Sequence, residues 1–270
     1  MTEPRNPVTI LLGDPAQQAI TVGDTLATLN RRLPFLERHR PFLMLDDGAQ
    51  APLDTVLDHL AVGVDAEQCT IFVAEQVPEL GEIGRCFAPL LPASRTATAM
   101  TAIRPALAAL PQSAQLSEAN RIARHCNSLA GRELLPEALA LPETRRALAP
   151  LGRDVGLNST PAELRAAVLT MVLPTEKLAV EQHPIFAYLD AFESDIHFLD
   201  DLKAKFRRGG LADDVLQLHL AHCLEAFVSP LRARRASLSR DAVSQQLQRG
   251  IERTRDVAAQ TLAEVRHALG

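Results

Sequence analysis

The chain has no tryptophan, one tyrosine and nine phenylalanines in 270 residues. With aromatics at 4% against 47% hydrophobics overall, its core is built mainly from Leu, Ala and Val. It has no excess of positive charge: 28 basic residues against 33 acidic ones leave a net charge of -5. Bulk electrostatics therefore draws it neither to DNA nor to an anionic membrane, and any RNA contact needs a local basic face. Cysteine is sparse. Cys69, Cys86, Cys126 and Cys223 form no Cys-x-x-Cys pair and read as free thiols of a reducing compartment. No apolar run approaches the ~20 residues that cross a bilayer. The N-terminus lacks the charged and apolar regions of a signal peptide. The expectation is a soluble cytoplasmic protein.

What is present first is an alternation. Short apolar runs at Pro7–Leu12, Pro41–Leu45 and Cys69–Val73 end in polar or glycine-bearing turns, as buried strands do. Between and after them, residues 21–40, 53–63 and 81–91 carry helical spacing. Strand and helix in alternation predict a parallel sheet wrapped by helices, with ligands beyond the carboxyl ends of its strands. Here those ends are Gly13-Asp14, Asp46-Asp47 and Ala74-Glu75-Gln76. Asp46 and Asp47 could serve as acid or base, although a turn pair accounts for them more simply.

The later chain is helical. Ser159-Thr160-Pro161-Ala162-Glu163 combines a cap, a first-turn proline and an acid, which starts a helix. Pro184–Leu211 reads as a helical hairpin with its own small aromatic core of Phe186, Tyr188, Phe192, Phe198 and Phe206. Lys203, Lys205, Arg207 and Arg208 load the end of its second helix, where the macrodipole favours cations. Gly209-Gly210 supplies a left-handed cap, and Asp213 or Asp214 is expected to cap the next helix. With Arg232, Arg234 and Arg235, these four cations form either an RNA-facing patch or a set of solvated helix ends. The last helix, about 241–269, carries an apolar stripe through Val243, Leu247, Ile251, Ala258, Leu262 and Val265 that must bury against something. His219, His222 and Cys223 sit at helical spacing that could bind zinc; with no fourth ligand in view the expectation is no metal site. No Ser-His-Asp or Cys-His arrangement is suggested by spacing, so no catalytic residue is assigned.

Several of these stretches resemble the tryptophanyl-tRNA synthetases, class I enzymes with a nucleotide-binding fold. Tyr188-Leu189-Asp190-Ala191-Phe192, with the basic helix ending in Arg207-Arg208-Gly209-Gly210-Leu211, is similar to the family's helical domain. Gly13 to Leu29 resembles its first signature region. There Thr21-Val22-Gly23-Asp24 stands for the His-Ile-Gly-His-like tetrapeptide, although Ala16-Gln17-Gln18 replaces the usual Pro-Ser/Thr-Gly. Thr70 to Glu79 resembles the third strand and the Gln-x-Val-Pro-Glu after it, and Arg121 to Asn127 and Ala258 to Arg266 match two family helices.

The resemblance implies an α/β fold: a Rossmann-like parallel-sheet domain over 1–170, then an all-helical domain over 171–270 whose last helix returns to the first. It implies a nucleotide pocket at Gly13, Thr21, Gly23, Asp24, Asp46, Gln76 and Arg146, with glycine letting nucleotide approach the backbone and a helix start offering donors to phosphate. It also implies a homodimer and tRNA as a partner.

Two departures stand against the family's chemistry. The segment 92–116 offers no carboxylate for the indole N–H of tryptophan. The family's Lys-Met-Ser-Lys-Ser loop falls on Arg146-Ala147-Leu148-Ala149-Pro150, where Arg146 could replace the first lysine and nothing replaces the second or the serines. ATP, the family's nucleotide, stays open as a cofactor that the resemblance implies, but with this loop degenerate none is assigned. Three readings stay open: a non-aminoacylating relative that binds tRNA, aminoacyl-tRNA or a synthetase partner; a biosynthetic enzyme using an amino acid or aminoacyl-tRNA; and a weak tryptophan–tRNA ligase.

Overall fold

In the computed structural model the described residues are 10–12, 22, 33, 42–45, 52–90, 113–135, 148, 151–152, 155–173 and 178–270. The chain divides into two compact units. One comprises 1–18, 28–143 and 238–270; the other comprises 19–27 and 144–237.

The first unit holds a parallel sheet of order β1-β2-β3, formed by Ile10–Leu12, Phe42–Leu45 and Thr70–Val73. Ile10 pairs with Phe42, and Phe42 with Thr70. The strands are short because each apolar run meets a turn signal within a few residues. Every residue of β3 is buried, as expected of a parallel strand covered on both faces. Helix α1 (Pro52–Val62) crosses from β2 to β3. After β3, a single 3-10 turn over Ala74–Gln76 leads into α2 (Pro78–Phe87). Sequence spacing placed this helix at 81–91. It begins three residues earlier because Pro78 fits the first helical position and Glu79 suits the first turn, and it loosens into a 3-10 turn over Ala88–Leu90. Helix α3 (Ser113–Ala130) ends at Gly131, whose φ of +68° is the left-handed cap. The Asn127 side chain then closes the loop after it. Its Oδ1 accepts from the N–H of Leu134 and Leu135, and its Nδ2 donates to the Leu135 carbonyl.

The last helix, α8 (Arg240–Leu269), belongs to this unit. Its N-terminal turns bury Val243 with Leu43, Val56 and Leu57 of β2 and α1. Its middle sets Ile251 and Ala258 against Phe42, Phe72 and Leu80. Its end places Leu262 and Val265 with Ile83 and Phe87 of α2 and Ala123 and Cys126 of α3. The stripe read from the sequence is continuous at helical period, so one helix can line three successive parts of one core. At Gly250 the approach is so close that a Cβ would lie 2.0 Å from the Ile71 carbonyl oxygen of β3.

The second unit is helical: α4 (Pro161–Leu169), α5 (Pro184–Phe192), α6 (Ile196–Arg207) and α7 (Asp213–Ser237). Helix α4 opens with a full capping box. Thr160 Oγ1 accepts from the Glu163 N–H, while the Glu163 carboxylate accepts from the Thr160 N–H at 2.7 Å. Helix α6 ends in the Schellman pattern: Gly209 takes a φ of +76°, its N–H bonds Phe206, and the Gly210 N–H bonds Lys205. Asp214 Oδ1 accepts the Val215 N–H at 2.8 Å, but neither Asp213 nor Asp214 stands at the position before α7. They occupy its first turn, where their charge suits the helix dipole, and the ladder starts at the Ala212 carbonyl.

The aromatic residues of this unit form two groups rather than one. Phe186 and Phe206 meet edge to face at 5.2 Å with the His183 ring against both. Tyr188 stacks on Phe192, which turns its other side to Phe227 of α7. Phe198 is 41% exposed and covers His219 instead of entering either group.

His183 gives this unit a pH dependence. Its side chain is 5% exposed, its Nε2 lies 3.4 Å from Asp213 Oδ1, and its Nδ1 has no partner among the described residues. Burial lowers its pKa below the ordinary 6.5, although Asp213 pulls the other way. A base whose pKa is depressed by folding stabilises the fold fully above its unfolded pKa, and that stability is lost as pH falls through it. The thermal midpoint should therefore drop between about pH 7 and pH 5.5, and His183→Phe should flatten that part of the profile. Parallel profiles for the two proteins would refute it.

Candidate functional site at the carboxyl edge of the sheet

In an open parallel sheet the carboxyl ends of the strands face the ligand crevice. Here those ends are Leu12, Leu45 and Val73. The backbone that leaves β3 does so in the 3-10 turn Ala74–Gln76, with Ala74 buried and Gln76 exposed. Gln76 is thus presented beside the edge where a ligand would sit. Gly13, Thr21, Gly23, Asp24, Asp46 and Arg146 lie outside the described residues.

The position of Gln76 is fixed from below. Val77 is buried, and Glu79, in the first turn of α2, reaches α8. The Arg255 guanidinium donates to Glu79 Oε1 through both Nε, at 3.0 Å, and Nη2, at 2.9 Å. Burial, the largest single influence, raises the Glu79 carboxyl, but the Arg255 hydrogen bond, the residue's own backbone N–H and the Arg255 charge together outweigh it and hold the group below its ordinary 4.5. This pairing, invisible in the sequence because its partners are 176 residues apart, ties the turn after β3 to the last helix.

A pocket opens at the opposite edge of the sheet, lined by Glu67, Thr70, Arg249 and Arg253 among others. It lies at the start of β3, so it is not the crevice that this topology offers to a nucleotide.

Four of the seven cations proposed as an RNA-facing patch are engaged by carboxylates. Lys203 pairs with Asp190, and Lys205 pairs with Asp201 at 2.7 Å. Arg207 pairs with Glu181 at 2.8 Å. Arg232 grips Glu225 through both terminal nitrogens. Arg208 is exposed at the end of α6, and Arg234 and Arg235 have interactions of their own. Pairs at or near the surface are weak enough for a polyanion to displace, but they cancel much of the field that would attract one.

The sequence also left one residue unseen. Glu193, at the carboxyl end of α5, meets His219 and Cys223 of α7. Burial, followed by the neighbouring Glu193 carboxylate, pushes the Cys223 thiol up to about 12, so it is not an activated nucleophile. His222, one residue away, is exposed.

No family model matches the chain. It is 28% identical to a tryptophan–tRNA ligase of Clostridium longisporum over 328 positions, covering 97% of this chain and 96% of that protein. A tryptophan–tRNA ligase of Streptococcus pneumoniae is 27% identical over 331 positions, with 97% of each covered. The first match runs over 328 positions against a chain of 270 residues, so at least 58 positions of that relative have no residue opposite them here. Among solved structures, tryptophanyl-tRNA synthetase of Campylobacter jejuni complexed with ADP and tryptophan superimposes with a TM-score of 0.78 at 14% identity, covering 97% of this chain and 99% of that one. The Mycoplasma pneumoniae enzyme gives 0.74 at 15% identity, with 98% of each covered. The structural likeness shows that this chain has the fold of these synthetases, and its sequence likeness to tryptophan–tRNA ligases spans nearly the whole of both chains.

Proposed function

We propose that this chain keeps the ligase scaffold without its ordinary ATP-dependent activation step, and that it binds tRNA or aminoacyl-tRNA as a homodimer. One observation carries the proposal: Arg146-Ala147-Leu148-Ala149-Pro150 stands where the family has a loop with two lysines and two serines. In a phosphate-transferring site those groups neutralise charge that develops on the departing phosphates. An alanine and a proline donate nothing to it. The shortening relative to the ligase of C. longisporum supports the same reading.

Retention of tRNA is supported by the relatives, which are named for a reaction on it. The paired cations of α6 and α7 make the expected contact modest in affinity and sensitive to salt. The test is a gel shift with charged and uncharged tRNA at low and physiological salt, alongside light scattering for the mass of the assembly. A shift at about micromolar chain concentration, weakened by salt, is the expected result. Preference for the charged form, with product released from it, would favour a biosynthetic enzyme using aminoacyl-tRNA. No shift with either form would discard tRNA and leave a synthetase partner as the reading to pursue.

A further inference from the structure

We propose that Glu193, His219 and Cys223 form a binding site for one thiophilic divalent metal ion, zinc first among them. The site lies wholly within the helical unit and does not depend on the tRNA reading.

The argument starts from convergence. Glu193 Oε2 lies 2.7 Å from His219 Nε2 and 3.2 Å from Cys223 Sγ, and that sulfur lies 3.4 Å from the same His219 nitrogen. Three donor atoms thus face one point. A nucleophilic relay needs a different arrangement, with the thiol on one imidazole nitrogen and the acid on the other. Here both meet Nε2, and the acid touches the thiol as well, which suits a shared central ion and not a chain of proton transfers.

The distances suit zinc. Bonds of about 2.3 Å to sulfur and about 2.0–2.1 Å to nitrogen and oxygen, at tetrahedral angles, put donor atoms roughly 3.3–3.6 Å apart. Both contacts to sulfur are already close to that range, and the Glu193–His219 pair needs to open by only about 0.6 Å. The ligands are held in place. His219 and Cys223 share a face of α7 at i and i+4, Phe198 covers the imidazole at 5.0 Å, and the other oxygen of Glu193 accepts from the Asp195 N–H at 2.9 Å. That last bond orients the carboxylate as outer-shell partners of metal ligands do.

Binding is balanced simply. The thiol proton of Cys223 leaves to solvent as the sulfur–metal bond forms, and neutral His219 gives its Nε2 lone pair. Three protein ligands leave a fourth position for water or an anionic donor.

The test uses the full chain, stripped with chelator under reductant and titrated with cobalt(II). The expected result is a near-ultraviolet thiolate-to-cobalt charge-transfer band that saturates at one ion per chain and is removed by zinc. Cys223→Ser should abolish the band, Glu193→Gln should weaken cobalt affinity by about tenfold or more, and His222→Ala should leave it unchanged. Should Cys223→Ser fail to fold by circular dichroism, the wild-type spectrum and Glu193→Gln decide the matter. No charge-transfer band at excess cobalt would overturn the proposal. So would a band that survives in folded Cys223→Ser, because the sulfur would then come from another cysteine.

Discussion

Gly250→Ala should destabilise the sheet-bearing unit by about 3 kcal/mol or more, at the upper end of what overpacking costs. The added methyl would lie 2.0 Å from the Ile71 oxygen, 3.1 Å from its carbonyl carbon and 3.3 Å from its nitrogen. All three atoms are backbone in β3, which is hydrogen-bonded into the sheet and buried at every residue, so none can step aside as a flexible side chain could. Relief requires α8 to retreat, and its retreat opens the contacts of Val243, Ile251 and Ala258 with β2, β3 and their covering helices. Gly81→Ala is the matched control. It lies inside α2, where an added methyl meets only the tip of Arg85 at 3.9 Å, so the better helix former should stabilise by roughly 0.5–1 kcal/mol. Thermal unfolding followed by circular dichroism separates the two. A Gly250→Ala protein that melts with the wild type would mean that α8 does not sit on β3 as described.

Much of the architecture was legible because its signals are local. The strands at 10–12, 42–45 and 70–73 are apolar runs cut off by turn residues, and the cap of α4 and the glycine end of α6 are written within a few positions of where they act. The start of α2 was misplaced because Gly81 and Gly84 dilute a helical pattern that Pro78 and Glu79 in fact begin. Long-range pairings were not legible. Nothing near Glu79 points to Arg255, and nothing near His219 points to Glu193, 26 residues away, until the hairpin of α5 and α6 brings them together. Charge was also misleading when read by position alone. Lys203, Lys205, Arg207 and Arg232 count as a basic cluster in the sequence, yet each faces a carboxylate in the fold. The candidate nucleotide residues Gly13, Thr21, Gly23, Asp24, Asp46 and Arg146 rest on the family resemblance, and of that set the described residues contain Gln76 alone.

The largest functional effect is expected in amino-acid activation. Each donor removed from a preorganised transition-state site costs about 10²–10³ in rate, and on the reading proposed above Arg146-Ala147-Leu148-Ala149-Pro150 lacks a lysine and two serines of the family's loop. Even with Arg146 serving for the first lysine, the chain should be slower than an active relative by at least about 10³-fold. A lone guanidinium can hold a phosphate without following its charge as the bond breaks. The absence of tryptophan from the chain helps here, because indole fluorescence in a binding mixture reports only on added tryptophan. Occupancy of an amino-acid pocket can therefore be scored separately from chemistry. The decisive measurement is tryptophan-dependent ATP–pyrophosphate exchange by the purified chain beside a tryptophan–tRNA ligase of the family. Exchange at the background of the assay is the predicted result; saturable exchange within about tenfold of the relative would show that the activation step operates with residues 146–150 as they stand and would contradict the account.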